Sequence, residues 1–479
     1  MLDYSLLFPS ADYTPQRSKR ALFAGCGLIV YGLVLLLRSV ALDEHTHVQR
    51  LQILEEQMLV DLFGVGTGSH GKTVEVTSKT ETFTMSVAHR ESWSGVHIES
   101  EVPFRSHYLR ATNIEKRDDH DQKPQLLLMH GYGTSSALCW RNVMEGLSHK
   151  FDIVALDTPG FGRSDTAEFL PSMSSEEVVT MYCDYFDTFQ DRVGLISPYV
   201  VAHSFGGFLF THCASKYPHL ASNVMLVDVP GFFPSNGGLD YSFAFWFSMG
   251  LPQTFLRAVL WGEHGEMALR NLASYVNLNW SPRMVSYWHE LHMGAGLVSG
   301  PVVATFVKFN VLYAIGENVA LVPLMNLTMP VQLLYGENDP IAPMHQGHFL
   351  SQLAEGVHVS NLFVVPGTGH VPFFANTKDI FIEMVVDAYD ATERGEKSKL
   401  AVEIQPGEEL EVSKEGGGGV GSSGADMAWC LTEKSLDWAL HKCLPISFLS
   451  ERNQKSMYQS IMRIREQCQG LVRGVDLVE

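Results

Sequence analysis

The chain has 479 residues, of which 46% are hydrophobic and 18% charged, which is enough for two or three domains and excludes disorder throughout. Lysine and arginine total 34 against 53 aspartate and glutamate residues, a formal net charge of −19. No long basic block occurs, which argues against nucleic-acid binding because phosphate contacts need clustered positive charge. The low charged fraction predicts that something beyond an ordinary core buries apolar surface, and lipid is the first candidate.

The largest apolar run lies near the N terminus. After a tail of residues 1–20 that ends in basic residues, residues 21–42 are apolar except for Arg38. About 20 such residues span a bilayer as a helix, so a single-pass transmembrane anchor is predicted there. Basic residues before the run and Asp43 and Glu44 after it orient the N terminus toward the cytoplasm. A cleaved signal peptide and a buried soluble helix are the alternatives.

Residues 43–123 are expected to form a helix followed by antiparallel strands. From His47 to Phe63, leucine, isoleucine and methionine recur at helical spacing among charged residues, which predicts an amphipathic helix that packs on a core or lies on a membrane. From Lys72 to His97, threonine and valine alternate, which is typical of antiparallel strands.

An α/β core is predicted from residue 124 onward. Short apolar runs alternate there with helical segments, and they are continuous rather than alternating in polarity. Such strands form a mostly parallel sheet that helices cover on both faces. The core is expected over residues 124–230 and 330–391, with strands at 125–129, 151–157, 198–202, 223–229, 331–336 and 361–367.

Three further segments have compositions of their own. Residues 231–329 are rich in aromatic residues and methionine, which predicts a helical cap over the carboxyl ends of the strands. Residues 392–427 form an acidic, glycine-rich linker. Residues 428–479 are a C-terminal helical segment that is expected to pack on the protein or to bind a protein partner.

The seven cysteines are scattered along the chain. Their number and spacing fit neither a disulfide framework nor a cysteine-based zinc site. They are therefore predicted to be structural thiols.

The strongest local signal is the run YVVAHSFGG at 199–207, a strand that enters a small-x-Ser-x-Gly turn and then a helix. This pattern is typical of a nucleophile elbow, with Ala202 in place of the usual first glycine. Small neighbours are needed because the turn is tight. Ser204 is therefore predicted to be a nucleophile, and an ordinary strand-to-helix turn is the alternative.

A serine nucleophile needs a general base and a carboxylate that orients the base, and in this type of sheet they follow in the order Ser, acid, His. The strand at 331–336 is followed by Glu337 and Asp339, and the next strand by His370. Asp339 is predicted to be the acid and His370 the base. Asp228, which follows the strand before the cap, and Glu337 compete with Asp339 for this role.

Acyl chemistry also needs N–H donors for the oxyanion. The backbone of Phe205, just after the nucleophile, is the first predicted donor, and that of Tyr132, in the HGYG loop at 130–133, is the second. His130 is expected to support this loop through hydrogen bonds without a catalytic role. This chemistry requires no metal and no organic cofactor.

These motifs together resemble the α/β-hydrolase superfamily over about residues 124–391. Within it, the helix at 51–59 and the HGYG and PGFGRS segments are similar to the lipid-acting branch of N-acylphosphatidylethanolamine and lysophospholipid lipases and their acyltransferase-like relatives. The motifs that carry the superfamily resemblance are HGYG at 130–133, PGFGRSD at 159–165, AHSFGG at 202–207, GENDP at 336–340 and GTGH at 367–370.

Three residues qualify what the resemblance implies. The branch commonly ends in an H-x-x-x-x-D motif associated with acyltransferase activity, but Ala375 stands in the Asp position here. Close animal relatives carry the acid where this chain has Ala342, so the general superfamily position, Asp339, is used instead. The presence of Ser204 disfavours the serine-less co-activator of triglyceride lipase as a model.

The expected protein is thus a membrane-anchored serine hydrolase with an α/β-hydrolase fold and a cap. Its predicted substrates are acyl esters of phospholipids, lysophospholipids or acylglycerols, cleaved through an acyl-enzyme. Its predicted partners are a lipid substrate and a membrane, without nucleic acid. A prolyl-aminopeptidase-like peptidase and a non-catalytic lipid-surface regulator of a lipase are the alternatives.

Overall fold

The computed structural model describes residues 44–63, 74–90, 97–113, 123–165, 173, 175–230, 265–267, 269–271, 282–294 and 321–402, the last range apart from 340, 343, 353–358 and 375. The predicted anchor, most of the predicted cap at 231–329, residues 403–427 of the predicted linker and the C-terminal segment lie outside the described residues. The first part of the predicted linker is structured instead, since residues 392–394 end a helix and the backbone N–H of Val402 donates to the carbonyl oxygen of Leu362. Among those described, no helix is long and apolar enough to cross a bilayer.

An eight-stranded sheet organises the described chain, with strands in the order β1-β2-β4-β3-β5-β6-β7-β8. The long hairpin of β1 and β2 is antiparallel and joins β4 in antiparallel register, whereas β3 to β8 are all parallel to their neighbours. The strands are β1 (Val74–Arg90), β2 (His97–Asn113), β3 (Gln125–Met129), β4 (Asp152–Leu156), β5 (Tyr199–His203), β6 (Asn223–Val227), β7 (Val331–Gly336) and β8 (Val359–Val365).

Helices cover both faces of the parallel part of the sheet, as the continuous apolar strands predicted. Side chains of α4 and α5 pack into one hydrophobic cluster, and those of α1, α2, α3 and α9 into the cluster on the other face. The helices are α1 (Glu44–Phe63), α2 (Ser136–Trp140), α3 (Met144–Ser148), α4 (Ser175–Val193), α5 (Ser204–Lys216), α6 (Pro282–Gly294), α7 (Leu321–Met325), α8 (Met344–Gln352) and α9 (Lys378–Arg394).

Helix α1 packs on the protein rather than standing apart from it. Leu51, Met58 and Leu59 are buried in the cluster that also contains residues of β1, while Ile53 and Val60 are exposed. The helix also contacts α6, which lies in the range predicted to form the cap. The sequence allowed this amphipathic helix to pack on a core or to lie on a membrane. In the structure it packs on the core.

The prediction that the cysteines are thiols is wrong for one pair. Cys183 on α4 and Cys213 on α5 form a disulfide with their Cα atoms 4.7 Å apart, within the range such a bond requires. Both residues are fully buried. Sequence spacing gave no indication of this bond, because it depends on which faces of the two helices meet. The disulfide joins α4 to the helix that begins at Ser204.

Candidate active site

Ser204 lies at the carboxyl edge of the sheet, where β5 turns sharply into α5. Its φ angle of 49° lies in the left-handed region, which a residue with a side chain rarely occupies. The turn leaves no room for larger neighbours, since a Cβ atom at Gly206 would collide with the carbonyl oxygen of His130. At Gly207 it would lie 2.9 Å from the carbonyl oxygen of Ala202. This is the nucleophile-elbow geometry that the sequence pattern predicted.

The predicted acid and base meet Ser204 in one hydrogen-bonded series. Ser204 Oγ lies 2.8 Å from Nε2 of His370, and Nδ1 of His370 lies 2.7 Å from Oδ2 of Asp339. The other oxygen of Asp339 accepts a 2.7 Å hydrogen bond from the backbone N–H of Ile341. The exposed fractions of Ser204, His370 and Asp339 are only 7%, 8% and 6%. Water therefore has little access to compete for these bonds.

Of the two competing carboxylates, neither makes the hydrogen bond to His370. Glu337 is exposed, and its side chain accepts a 2.7 Å bond from the backbone N–H of Gly367 instead. Asp228 is fully buried at the end of β6, where its Oδ1 accepts a 2.8 Å bond from the backbone N–H of Gly336. Asp339 is thus the carboxylate that orients the imidazole in this arrangement.

The loop after β3 runs directly against the nucleophile. A Cβ atom at Gly131 would lie 3.0 Å from that of Ser204. The Tyr132 ring contacts Phe161 and Phe205 edge-on, with centroids 5.4 and 6.0 Å apart. The two predicted oxyanion donors, Tyr132 and Phe205, are therefore neighbours beside Ser204. Their role stays a prediction.

His130 holds this loop, as expected. Its ring lies fully inside the protein, where Nδ1 donates to the carbonyl oxygen of Gly131 at 2.7 Å and Nε2 accepts from the backbone N–H of Thr158 at 3.1 Å. Burial lowers the pKa of His130 against the opposing charge of Asp157. The ring is therefore neutral, which fits one donating and one accepting nitrogen.

His203 is a site residue that the sequence reading missed. Its Nε2 donates a 2.7 Å hydrogen bond to the carbonyl oxygen of His370, and the two rings lie 5.0 Å apart. Burial, and then the charge of His370, hold the pKa of His203 well below its usual value. A neutral His203 therefore fixes the backbone of the base. Its position directly before the nucleophile was the signal available.

A second buried carboxylate–histidine cluster lies away from Ser204. His107 on β2 places Nδ1 2.7 Å from Oδ2 of Asp157 and Nε2 3.4 Å from Oε1 of Glu55 on α1. The guanidinium of Arg163 lies 3.0 Å from the same Glu55 oxygen. Nε2 also lies 2.9 Å from the hydroxyl of Ser78 on β1. We call Ser78, His107, Asp157, Glu55 and Arg163 the His107 cluster.

Charges in this cluster depend on one another. Burial alone would lower the pKa of His107, but the carboxylates of Glu55 and Asp157 outweigh it and raise that pKa. Burial alone would raise the pKa of Asp157, but the charge and hydrogen bond of His107 bring it well below its ordinary value. Burial raises the pKa of Glu55 against the opposing charges of His107 and Arg163. The two carboxylates therefore favour the imidazolium form of His107.

The His107 cluster is connected to the loop beside Ser204. The backbone N–H of Ser136 donates to Asp157 at 2.6 Å. On α6, the Tyr287 hydroxyl lies 3.3 Å from Glu55 and 3.0 Å from the Ser135 hydroxyl. The neighbouring Trp288 donates its indole N–H to the carbonyl oxygen of Gly133 at 2.6 Å. Helices α1 and α6 thus both support the loop after β3.

Among the described residues, two groups of three buried side chains come close enough to share a metal ion, namely His203 with Asp228 and His370, and Glu55 with His107 and Asp157. In the first, His370 already faces Ser204 and Asp339 through its two ring nitrogens. In the second, both nitrogens of His107 face hydrogen-bond partners, and the Arg163 guanidinium would repel a cation. The donor sets therefore fit hydrogen bonding better than metal ligation.

A mostly parallel sheet with a hydrogen-bonded Ser-His-Asp arrangement at its carboxyl edge is typical of proteins with a hydrolase fold. The chain belongs to the alpha/beta hydrolase fold family, whose model matches residues 124–377, more than half of the chain.

Relatives in the lipid-acting branch also match. Abhydrolase domain-containing protein abhd-5.2 of Caenorhabditis elegans is 26% identical over 62% of this chain and 66% of its own length. A (lyso)-N-acylphosphatidylethanolamine lipase of Homo sapiens is 34% identical over 24% of this chain. A 1-acylglycerol-3-phosphate O-acyltransferase of Arabidopsis thaliana is 30% identical over 26% of this chain. The chain thus spans just under two thirds of the nematode relative and about a third of the other two.

The fold has solved counterparts as well. The protein lip1 of Acinetobacter baumannii AYE superimposes with a TM-score of 0.52 at 17% identity, covering 72% of this chain and 97% of that one. At this identity the likeness concerns the fold alone.

Proposed function

We propose that this protein is a serine hydrolase that cleaves acyl esters of lipids through an acyl-enzyme. The observation that carries the proposal is the unbroken series of hydrogen bonds from Ser204 through His370 to Asp339, on a turn that holds Ser204 in a strained conformation. Buried, ordered series of this kind activate a hydroxyl that is otherwise a poor nucleophile.

The mechanism follows from the orientation of the imidazole. Because Asp339 accepts a hydrogen bond from the Nδ1–H of His370, Nε2 presents its lone pair to the Ser204 hydroxyl. Ser204 Oγ attacks the ester carbonyl carbon while Nε2 takes the hydroxyl proton. The proton then passes to the leaving alcohol as the C–O bond breaks and the acyl-enzyme forms. A water molecule releases the fatty acid by the same proton transfers in reverse order.

The developing oxyanion needs donors that are already in place. The backbone N–H groups of Phe205 and Tyr132 are the proposed donors. Their positions support this role. Phe205 directly follows Ser204, and the loop that carries Tyr132 lies against the nucleophile. The N–H groups of a fixed loop cost little reorganisation during the reaction.

An acyl lipid is supported by two independent points. The rings of Tyr132, Phe161, Phe205 and Phe208 contact one another in series, and Phe205 directly follows Ser204, so an apolar aromatic cluster of the kind that suits an acyl chain lies next to the nucleophile. The human and Arabidopsis relatives are named for reactions of acylated phospholipids. Water is proposed as the acyl acceptor because Ala375 replaces the aspartate of the acyltransferase-associated motif.

The test compares wild type with Ser204→Ala and with the matched control Ser78→Ala from the His107 cluster. Wild type and Ser78→Ala are expected to react with a fluorophosphonate probe and to hydrolyse one of N-acylphosphatidylethanolamine, lysophospholipid or acylglycerol. Ser204→Ala should lose both activities, with a rate loss of at least about a thousandfold. Labelling without change in any lipid would favour the peptidase, and equal lack of labelling in all three would favour the non-catalytic regulator.

We also propose that residues 21–42 anchor the protein in a membrane through a single pass. The length and apolar character of the run support this. The full chain is expected to stay with membranes during alkaline carbonate extraction, whereas a chain without residues 1–42 should be released. Release of both proteins would contradict the anchor.

A further inference from the structure

Asp228 is a buried carboxyl behind the triad that the mechanism above does not use. It follows the last residue of β6, and its φ angle of 47° is in the left-handed region. Its backbone N–H donates to the carbonyl oxygen of Leu334, and its Oδ1 accepts from the backbone N–H of Gly336. The side chain thus adds one more hydrogen bond between the ends of β6 and β7, and it is turned inward rather than toward solvent.

The other oxygen of Asp228, Oδ2, is buried and has no hydrogen-bond donor among the described residues. Gly336 holds Asp339 next to Asp228, because it donates to Oδ1 of Asp228 and accepts from the backbone N–H of Asp339. The two carboxyls interact, and that of Asp339 is another acceptor when ionised. Both oxygens of Asp339 already accept hydrogen bonds, from Ile341 and His370. Two ionised carboxylates in contact, shielded from water, would repel each other strongly.

The remaining titratable groups around Asp228 do not relieve this repulsion. His203 and His370 each bring a ring nitrogen within 4.8 Å of an Asp228 oxygen. His203 is neutral, with its Nε2 proton committed to the carbonyl oxygen of His370. The Nδ1–H of His370 donates to Asp339. A proton on one of the two carboxyls would let Oδ2 join in a hydrogen bond with Asp339 and would remove the repulsion.

We propose that Asp228 is a positioning residue that stays protonated and donates an O–H hydrogen bond from Oδ2 to Asp339, so that the two carboxyls share a single negative charge. The inference rests on the proposed function only for its catalytic consequence. Burial and then the charge of Asp339 raise the pKa of Asp228 well above its ordinary value, which agrees with the geometry.

The shared proton has a consequence for His370. A hydrogen bond from Asp228 fixes the rotation of the Asp339 carboxylate, which in turn orients the imidazole. The shared proton also limits the two carboxyls near His370, those of Asp228 and Asp339, to one negative charge in total. A second negative charge would bind the proton on His370 more tightly, and the base could then return that proton to the leaving group less readily.

Infrared difference spectroscopy tests the protonation state without substrate. A protonated carboxyl has a carbonyl stretch at higher frequency than either band of a carboxylate. We expect this band in the full-length wild type at neutral pH and its loss in Asp228→Asn. In Asp339→Asn the band should disappear at lower pH than in wild type, because the neighbouring charge is gone. A wild-type spectrum identical to that of Asp228→Asn would overturn the proposal.

Kinetics test the positioning role with two variants. Asp228→Leu removes the donor, and we expect kcat to fall about tenfold, the loss of one hydrogen bond, with little change in KM. In Asp228→Asn the amide can still accept from Gly336 and donate to Asp339, so we expect it to recover most of the lost kcat. Equal losses in both variants would contradict a neutral donor. Because the infrared band needs no turnover, it still tests the shared proton if no lipid is hydrolysed.

Discussion

Two hydrogen-bonded series of Ser, His and Asp side chains lie within the described part of the chain, and their distances nearly coincide. Ser204, His370 and Asp339 are joined at 2.8 and 2.7 Å, while Ser78, His107 and Asp157 are joined at 2.9 and 2.7 Å. The two series differ in the charges around the histidine. His107 lies between two carboxylates, which raise its pKa and favour its imidazolium form.

The serines differ as well. Ser78 is on a regular strand, and its oxygen accepts a 3.0 Å bond from the Arg163 guanidinium in addition to its contact with His107. In the imidazolium form that the raised pKa favours, His107 has no free lone pair to receive the hydroxyl proton of Ser78. Ser204 is on a strained turn beside the loop after β3, whose backbone includes the proposed oxyanion donor of Tyr132. Charge balance and backbone position, rather than hydrogen-bond distances, separate the proposed catalytic series from the series in the His107 cluster.

The largest expected effect comes from the acid that orients His370. Asp339→Asn should lower kcat by about 10⁴-fold, because an amide favours the wrong imidazole tautomer. Glu337→Gln is the matched control, since it removes a neighbouring carboxylate but keeps the bond to Gly367, and its activity should stay within about twofold of wild type. Steady-state hydrolysis measures both. Comparable losses in the two variants would assign the role to Glu337.

Breaking the His107 cluster should affect folding rather than chemistry. His107→Gln leaves Glu55 and Asp157 buried without the imidazolium between them, and we expect the free energy of unfolding to fall by about 3–5 kcal/mol. Urea unfolding measures this loss. The folded fraction should still react with a fluorophosphonate. Unchanged stability together with lost labelling would mean that His107, not His370, serves the nucleophile.

The pH dependence of stability should carry the signature of this cluster. The pKa of His107 is raised in the folded state, so its contribution to stability is full below the ordinary value of 6.5 and is lost as pH rises through the folded-state value. Asp157, whose pKa is lowered, contributes above 3.8 and loses that contribution as the solution becomes more acidic. Wild type should therefore lose more stability than His107→Gln between neutral and alkaline pH. Parallel curves would contradict a charged His107.

The smallest expected effect is that of Ser78→Ala. It removes one partly buried hydrogen-bond partner of His107, which should cost no more than about 1 kcal/mol of unfolding free energy. Hydrolysis and labelling should match wild type. A thousandfold loss of activity would make the second series catalytic after all.

Much of the parallel core was predictable because its signals are local. Continuous apolar strands, the small residues around Ser204 and the position of His370 after a strand each reflect a short-range requirement. The choice of acid was not local, since Asp228, Glu337 and Asp339 all follow strands. Only the arrangement of three loops in space assigned the hydrogen bond to Asp339.

Features that depend on contacts between distant segments escaped the sequence reading. The bond between Cys183 and Cys213 requires two helix faces to meet. The His107 cluster joins α1, β1, β2 and the loop after β4. One indication was present, because Glu55 shares the buried face of α1 with Leu51 and Met58. An acidic residue on an apolar helix face needs a partner, and that partner was not identifiable from spacing alone.

The carboxylate of Glu55 also sets the smallest chain that can fold. The family match begins at residue 124, yet Asp157 and Arg163 within it find their partners, Glu55 and His107, before that point. A protein shortened to the matched region would bury an aspartate without its counterion and expose the apolar surface that α1 covers. A shortened version for crystallisation should therefore start at residue 43, so that the proposed anchor at 21–42 is left out while helix α1 is retained.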